Sequence, residues 1–315
     1  EVEAARDTLA LDCDGLVVKL NELALKRALG TTARAPRGAV AFKFGAAKEV
    51  TTLNSITLQV SRTGMITPVA ELEPVTIGGV TVSRATLHNF SELARLDIRV
   101  GDAVIIERSG DVIPNIVGVH LDDSRNDYTA SAADHERSPP VELPKHCPEC
   151  SGPVSVSLNE RKSSSPSSLP DAERDSDNNT IISLSDCEHA SVSVHCINEQ
   201  CPAQALNKLT YFASKHAMNI DGLGKSVAKK LLDANLVNQC SDLFTLSKEE
   251  LLTLPGFKDR SAENLLDAIK KARESCSLAR VLVALGISGI GRTSAPTVAS
   301  VLDYKLERLL QVDQD

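Results

Sequence analysis

Cysteine spacing is the first feature of this sequence that could do chemistry. Cys147 and Cys150 stand in a C-x2-C pair, and Cys196 and Cys201 in a C-x4-C pair. Each spacing lets two thiolates grip one ion from a tight turn. Four thiolates suit a closed, tetrahedral structural Zn2+ site. The 45 residues between the pairs are tolerable, because the entropy of closing a loop grows only logarithmically with its length. The chain has eight cysteines and no other mark of secretion, which favours a metal over a disulfide framework. Free thiols placed by chance are the alternative reading. His146 and His195 adjoin ligand candidates and are alternative donors, and Cys187 is a competitor between the pairs. Cys13, Cys240 and Cys276 read as plain thiols.

Glycine spacing comes second. Gly222-Leu-Gly224, a degenerate Pro255-Gly256-Phe-Lys258 and Gly289-Ile-Gly291 recur, and each precedes an Ala/Leu/Val-rich helical pattern over 226–236, 261–273 and 293–302. A helix, a Gly-rich turn and a second helix present backbone N–H groups that can hold a phosphate without reading bases. Lys225, Lys258 and Arg292 follow the turns and add charge. One such turn is ordinary helix capping. Three in succession are an internal repeat of the helix-hairpin-helix kind, with a helical bundle carrying Gly caps as the alternative.

A third group is Asp14-Gly15 followed by Lys19, then Lys43 within Ala-Phe-Lys-Phe. Lysines at the ends of neighbouring strands can neutralise a phosphate, and a nearby carboxylate can hold Mg2+ or orient a lysine. Without further context, an Asp-Gly turn with lysines nearby is surface structure more often than a site.

Periodicity supplies the elements that position these groups. Leu16–Leu20 and residues 39–44 read as buried strands, and 22–29 as a short helix stopped by Gly30. From about 50 to 120 short β-rich pieces recur: Ile56–Val60, Val69–Leu72, Gly79–Val82, Ala103–Glu107 and Ile116–His120. One small helix lies near Thr86–Arg95. This pattern fits a small barrel of the OB-fold type. Residues 121–146 are polar and Pro-containing, as a linker is. The Ser/Asp/Asn-rich stretch at about 155–185 reads as a disordered insert, and 205–310 as helical throughout.

Bulk composition sets outer bounds. The chain of 315 residues is 42% hydrophobic and 24% charged, with 3% aromatic residues and no Trp, so its cores rest on Leu, Val, Ile and Ala. No apolar run approaches the ~20 residues a membrane helix needs. The net charge of -8 argues against a nucleic-acid partner at first sight. Its distribution weakens that objection: residues 206–315 carry 15 basic against 13 acidic side chains, whereas 151–195 carry 3 against 7. A local basic surface is enough for DNA.

In order along the chain, these segments resemble the NAD-dependent DNA ligases of bacterial type. DGLVVKLN at 14–21 is similar to their motif IV, and ARAPRGAVAFKF at 33–44 to the stretch ending in motif V. SRTGMITPVAELEPVTIGGVTVSRATLHN at 61–89 and DIRVGDAVIIERSGDVIPNIV at 97–117 resemble their OB-fold signatures. CPEC with CINEQCPAQ resembles their zinc finger, and the tail their helix-hairpin-helix domain. The resemblance implies a multi-domain α+β chain. Its parts would be a nucleotidyltransferase remnant (1–48), an OB-fold barrel (49–125), a linker and four-cysteine zinc finger (126–205) and an incomplete all-α helix-hairpin-helix domain (206–315).

The family's reaction has three steps. A lysine attacks the α-phosphorus of NAD and expels nicotinamide mononucleotide. The AMP passes to the 5′-phosphate at a nick, and the 3′-hydroxyl then displaces AMP to form the phosphodiester. By resemblance, Asp14 is a carboxylate near the catalytic Mg2+, Lys19 contacts the adenylate and Lys43 its phosphate. Arg62, Thr63, Arg108, Val112 and Ile113 touch DNA from the barrel, and Gly222, Gly224, Gly289 and Gly291 from the hairpins. The expected partner is nicked double-stranded DNA, bound by a monomer with no membrane association. The expected place is the cytoplasm near the nucleoid in a bacterium, with an organelle equally compatible.

This sequence departs from the pattern in several places. Gly38 and Ser61 stand where the family usually has an aromatic residue and a glycine. The nucleophile's Lys-x-Asp-Gly motif is absent, since Asp14-Gly15 follows Asp12-Cys13 and Asp221-Gly222 follows Asn219-Ile220. The reading is therefore a ligase fragment that forms no lysyl-AMP by itself, with a catalytically dead nick- or junction-binding module as the alternative.

Overall fold

A computed structural model describes residues 13, 15–32, 35–108, 114–120, 137–160 and 190–309. Asp14, Val112, Ile113, Cys187 and most of the expected insert lie outside the described residues. The chain divides into two compact units. One holds the amino-terminal ribbon and the barrel with the adjoining strands, and the other comprises Val60–Met65, His146–Val154 and His195–Asp315.

The ribbon pairs β1 (Gly15–Lys19) antiparallel with β2 (Ala39–Lys43), with Gly15 opposite Lys43 and Lys19 opposite Ala39; α1 (Leu23–Leu29) lies between them in sequence. Gly15 is required because a Cβ there would overlap the carbonyl of Phe42. The elements match the expected ones, but the expected burial does not hold. Val18, Val40 and Phe42 are 66%, 69% and 57% exposed. Two strands alone have two open faces, and among the described residues no layer covers them.

The barrel is made of β3 (Ala47–Val60), β4 (Met65–Ile77), β5 (Val80–Thr86), β6 (Ala103–Arg108) and β7 (Asn115–Val119). Strand order is β3-β6-β7-β5-β4, and an additional β3–β4 pairing closes the ring. The β5–β7 contact is parallel, at Thr86 and Asn115; β3–β6, β4–β5 and β6–β7 are antiparallel. Register shifts between Glu71 and Val75 in the long β4, and at Ile105/Ile106 where β6 meets β7, bend the sheet so that five strands can close. Strand β4 alternates buried and less buried residues, the period-2 pattern of a strand with one face on a core. Leu53, Ala70, Leu72, Ile77, Val104 and Ile106 fill that core. Leu93, from α2 (Phe90–Arg95), joins them. Asn89 begins α2 by accepting the Glu92 N–H at 2.8 Å, a standard N-cap.

Strands β8 (Val154–Glu160) and β9 (Ala190–Cys196) extend the sheet beyond β4. The first residues of the stretch expected to be disordered thus form strand as far as Glu160. The polar linker is also fastened. Arg137 donates from Nε and Nη2 to the Asp102 carboxylate (3.2 and 2.8 Å) and from Nη1 to that of Asp97 (2.8 Å), while Val141 packs on the barrel core. Arg99, then Arg137, hold the Asp97 carboxyl below the usual carboxylate range.

The rest is helical: α3 (Pro202–Ala213), α4 (Lys225–Asp233), a 3-10 turn (Cys240–Thr245), α5 (Lys248–Leu252), α6 (Asp259–Ser275), α7 (Leu278–Leu285), α8 (Ala295–Val301) and α9 (Leu306–Leu309). Two apolar clusters organise it. One joins α3 through α6, with Ala284 of α7, around Leu209, Leu231, Leu251 and Leu265. The smaller packs α7 on α8 through Leu278, Leu282, Val283, Ala295, Ala299 and Leu302. No helix of the described residues is long and apolar enough to cross a membrane.

Candidate metal centre and nucleic-acid interface

The four predicted cysteines converge. Their sulfurs lie within 4.8 Å of one another, with Cys147 and Cys201 at 3.9 Å and Cys150 and Cys196 at 3.7 Å. A disulfide would need about 2.05 Å. Four sulfurs each ~2.3 Å from one ion at tetrahedral corners stand ~3.8 Å apart, so the cluster fits Zn2+. Among the described residues neither His146 nor His195 joins it.

Local sequence builds each half. Ser151 N–H returns to the Cys147 carbonyl and Cys147 N–H to the Gly152 carbonyl, both at 2.9 Å, which folds Cys147–Gly152 into a knuckle. Ser151 takes a positive φ of 55° to make the turn. The second half runs from the end of β9 at Cys196 to Cys201, whose N–H reaches the Asn198 carbonyl at 3.1 Å and which begins α3. Pro202 at the first helical position fits because that N–H would have no helical partner. The Asn198 side chain, then the Gly152 backbone, hold the Cys150 thiol down to about 7, whereas burial pushes Cys201 up to about 12. Binding an ion must therefore displace protons from buried thiols.

The three hairpins share one geometry. Leu223 N–H donates to the Ile220 carbonyl, Phe257 to Leu254 and Ile290 to Ile287, at 3.3, 3.2 and 3.1 Å. The glycine at the third position of each turn has φ of +83°, +88° or +80°. This is the type II turn, which needs φ > 0 there and favours Pro at the position before, as Pro255 provides. Gly222, Gly224, Gly289 and Gly291 are all exposed at the tips, and Gly224 is the N-cap of α4 with φ -81°. Lys225, Lys258 and Arg292 are exposed beside them, with Arg292 Nη1 3.3 Å from the His216 ring. A cavity of about 500 Å³ lies against the first hairpin, lined by Ser214, Lys215, Asn219, Asp221, Gly222 and Gly224 among others.

Lys19 and Lys43 are exposed on one face of the ribbon, four register positions apart, roughly 13 Å at ~3.3 Å per residue. The strands place them on one face but not side by side. Thr63 is exposed at the tip of the β3–β4 hairpin. Arg62 beside it lies 4.0 Å over the Tyr211 ring and against Gly286, the left-handed C-cap of α7. Arg108 ends β6.

Sequence reasoning missed two residues at the metal centre, Gln204 and Gly64, which bind the backbone of Cys196. Gln204 carried a signal: it is a polar residue on the helix face that Leu209, Phe212 and Ala213 bury.

A closed five-stranded barrel, a four-cysteine cluster and tandem helical hairpins define a multidomain α+β protein of the OB-fold and helix-hairpin-helix class. Comparison with known proteins carries this further. Residues 50–128 match the family model for the NAD-dependent DNA ligase OB-fold domain, 1–47 that for the NAD-dependent DNA ligase adenylation domain, and 214–271 that for the SAM-like helix-hairpin-helix tandem. A DNA ligase of Wolinella succinogenes is 43% identical over 290 residues, 92% of this chain and 38% of the relative. Those of Thermodesulfovibrio yellowstonii and Chloroherpeton thalassium are each 40% identical, over 99% and 95% of this chain and 40% and 38% of theirs. The chain belongs to the NAD-dependent DNA ligase family, and it spans about two fifths of the length of these relatives.

Proposed function

We propose that this chain is part of an NAD-dependent ligase that seals nicks in duplex DNA during replication and repair, transferring adenylate from NAD to the 5′-phosphate before the phosphodiester forms. The observation that carries the reading is the threefold type II hairpin, in one chain with segments matched to ligase adenylation and OB-fold domains. Exposed turn glycines let a phosphate approach the backbone N–H groups closely, and nearby lysines neutralise it. Such contacts grip duplex DNA whatever its sequence. Thr63 and Arg108 add barrel contacts in this reading, together with Val112 and Ile113. Arg62 joins them through the N–H edge of its guanidinium, which stacking on the Tyr211 ring leaves available.

On the ribbon, Lys19 serves the nucleoside end of an adenylate and Lys43 its phosphate, with Asp14 as the neighbouring carboxylate. Mg2+, when bound near Asp14, supplies charge neutralisation at the reacting phosphoryl group. Cys147, Cys150, Cys196 and Cys201 hold Zn2+, whose contribution is a structural cross-link between the knuckle and α3. We assign 1–48 to the adenylation part, 49–125 to the barrel, 126–205 to the linker and finger, and 206–315 to the hairpin domain. In a bacterium a chromosomal substrate puts the protein in the cytoplasm, at the nucleoid, with an organelle as the alternative.

The alternative reading is a nick-binding module without catalysis. An in-frame Lys-x-Asp-Gly upstream of the Glu1 codon in the same transcript decides for the ligase. With either reading, adenylate-labelled NAD and Mg2+ are expected to leave no covalent label on the 315-residue chain; a labelled band that survives denaturation overturns the missing-nucleophile assignment. Nicked-duplex affinity should fall steeply between about 50 and 200 mM salt. Affinity that is absent, or indifferent to salt, sinks the DNA assignment.

A further inference from the structure

A single knot of hydrogen bonds joins the finger to the tip of the β3–β4 hairpin. Gln204 stands in the first turn of α3, three residues beyond Cys201, and is only 5% exposed. Its Nε2 donates to the carbonyls of Cys196 at 3.0 Å and Asn198 at 3.1 Å. Both partners are acceptors only, which fixes the amide nitrogen toward them. The Cys196 carbonyl also faces Gly64. A Cβ on Gly64 would stand 2.5 Å from that oxygen and 3.0 Å from Gln204 Nε2, and its φ is +81°. In return the Cys196 N–H donates to the Gly64 carbonyl at 2.9 Å. The hairpin closes on itself through Ser61 N–H to Met65 (2.8 Å) and Gly64 N–H to Ser61 (3.1 Å). Asn207 Nδ2 donates to the Val60 carbonyl at 2.8 Å, and Arg62 lies over Tyr211.

None of these bonds is needed to grip an ion, since four thiolates suffice. They are what the hairpin tip needs. Cys196 gives its sulfur to the cluster and both its N–H and its carbonyl to the knot, so whatever fixes the sulfur also fixes the backbone that Gly64 leans on. Partners of this kind orient the ligands of a centre and are oriented by them. We infer that Gln204 and Gly64 couple the four-thiolate centre to Val60–Met65, so that metal binding positions the tip carrying Arg62 and Thr63. Gln204 and Gly64 are positioning residues: Gln204 stiffens the two carbonyls of the second knuckle, and Gly64 is the close approach that no other residue allows. The inference rests on the reading that the cluster holds Zn2+.

Amide hydrogen exchange across the full 315-residue chain, read at residues 60–66 and Cys196, tests it, comparing zinc-loaded protein, chelator-stripped protein and Gln204→Leu, with zinc measured in each sample. Stripping and Gln204→Leu should each speed exchange of the Ser61, Gly64 and Cys196 amides about tenfold, the worth of one or two buried hydrogen bonds. Gln204→Leu keeps its zinc, and the Val104 and Ile106 amides of the barrel stay protected throughout. Zinc bound, with hairpin exchange equal in loaded and stripped protein, overturns the coupling. Exchange that rises equally across α3 to α6 on stripping also overturns it, in favour of a general structural role for the ion. A chain that takes up no zinc sinks the cluster reading instead, which the metal measurement shows separately. Where Gln204→Leu does not fold, the loaded and stripped unaltered chain decides.

Discussion

The hairpins at Ile220–Gly224 and Ile287–Gly291 turn the same corner on different foundations. Both place a glycine at φ near +80° and close with an i to i+3 hydrogen bond. The first shares its core with the second hairpin, the 3-10 turn and residues of five helices, whereas the third rests mainly on a cluster of six buried residues from α7, α8 and Leu302. Their tips also differ. Ser294 Oγ accepts the Gly291 N–H at 2.9 Å, and Ser261 does the same for Lys258 at 2.8 Å. Val227 occupies the corresponding place after Gly224 and offers no hydroxyl. The difference teaches that a repeated turn motif specifies its own backbone, while its stability and the freedom of its N–H groups come from the surroundings. The matched helix-hairpin-helix segment ends at residue 271, yet the geometry recurs after it.

The core substitutions should separate the two most sharply. Leu231 and Leu282 are both fully buried. Leu231→Ala is expected to cost about 3–5 kcal/mol, and Leu282→Ala about 2–3 kcal/mol because a small cluster collapses more easily around the gap. Urea titrations read both, and equal losses would break the distinction between the foundations. Next come Gly222→Ala and Gly289→Ala, about 1–2 kcal/mol each from the left-handed backbone. A Cβ at 222 would meet only Leu265 at 4.0 Å, and one at 289 would meet nothing within 4 Å. The two losses should therefore match; thermal melts that differ twofold in cost would show that the turns are not equivalent. Ser294→Ala should cost about 1 kcal/mol, the worth of one hydrogen bond, and speed exchange of the Gly291 amide. Smallest is Gly224→Ala, within about 0.5 kcal/mol of neutral, because its φ is ordinary but Ala caps a helix N-terminus less well than Gly. Nicked-duplex affinity should nevertheless fall, since the methyl group stands where a phosphate would approach. Unchanged affinity would remove the first hairpin from the DNA surface.

Much of this was legible because it is local. C-x2-C and C-x4-C name the ligands, Gly-x-Gly names the turns, and alternating Val, Ile and Leu outline the barrel strands. What was not legible depends on partners far along the chain. Asn207 reaches Val60 across 147 residues, and Arg137 reaches Asp97 across 40. No period in the sequence marks such pairs. The ribbon shows the opposite failure. Val18, Val40 and Phe42 have the composition of a buried strand, but burial is set by what lies against a strand and not by its own residues.

Strands β8 and β9 carry one more consequence. Ser157 and Ser193 meet at 2.8 Å, and Ile197 N–H donates to the Pro153 carbonyl at 3.2 Å. The contacts step in opposite directions along the chain, so the strands run antiparallel and Glu160 falls opposite Ala190. The points at which the chain enters and leaves 161–189 are therefore neighbours, at the strand ends farther from the thiolates. In engineering terms this is a graft point. An affinity tag, a fluorophore-bearing peptide or a pair of new termini from circular permutation can enter there, with the ligand turns left as they are.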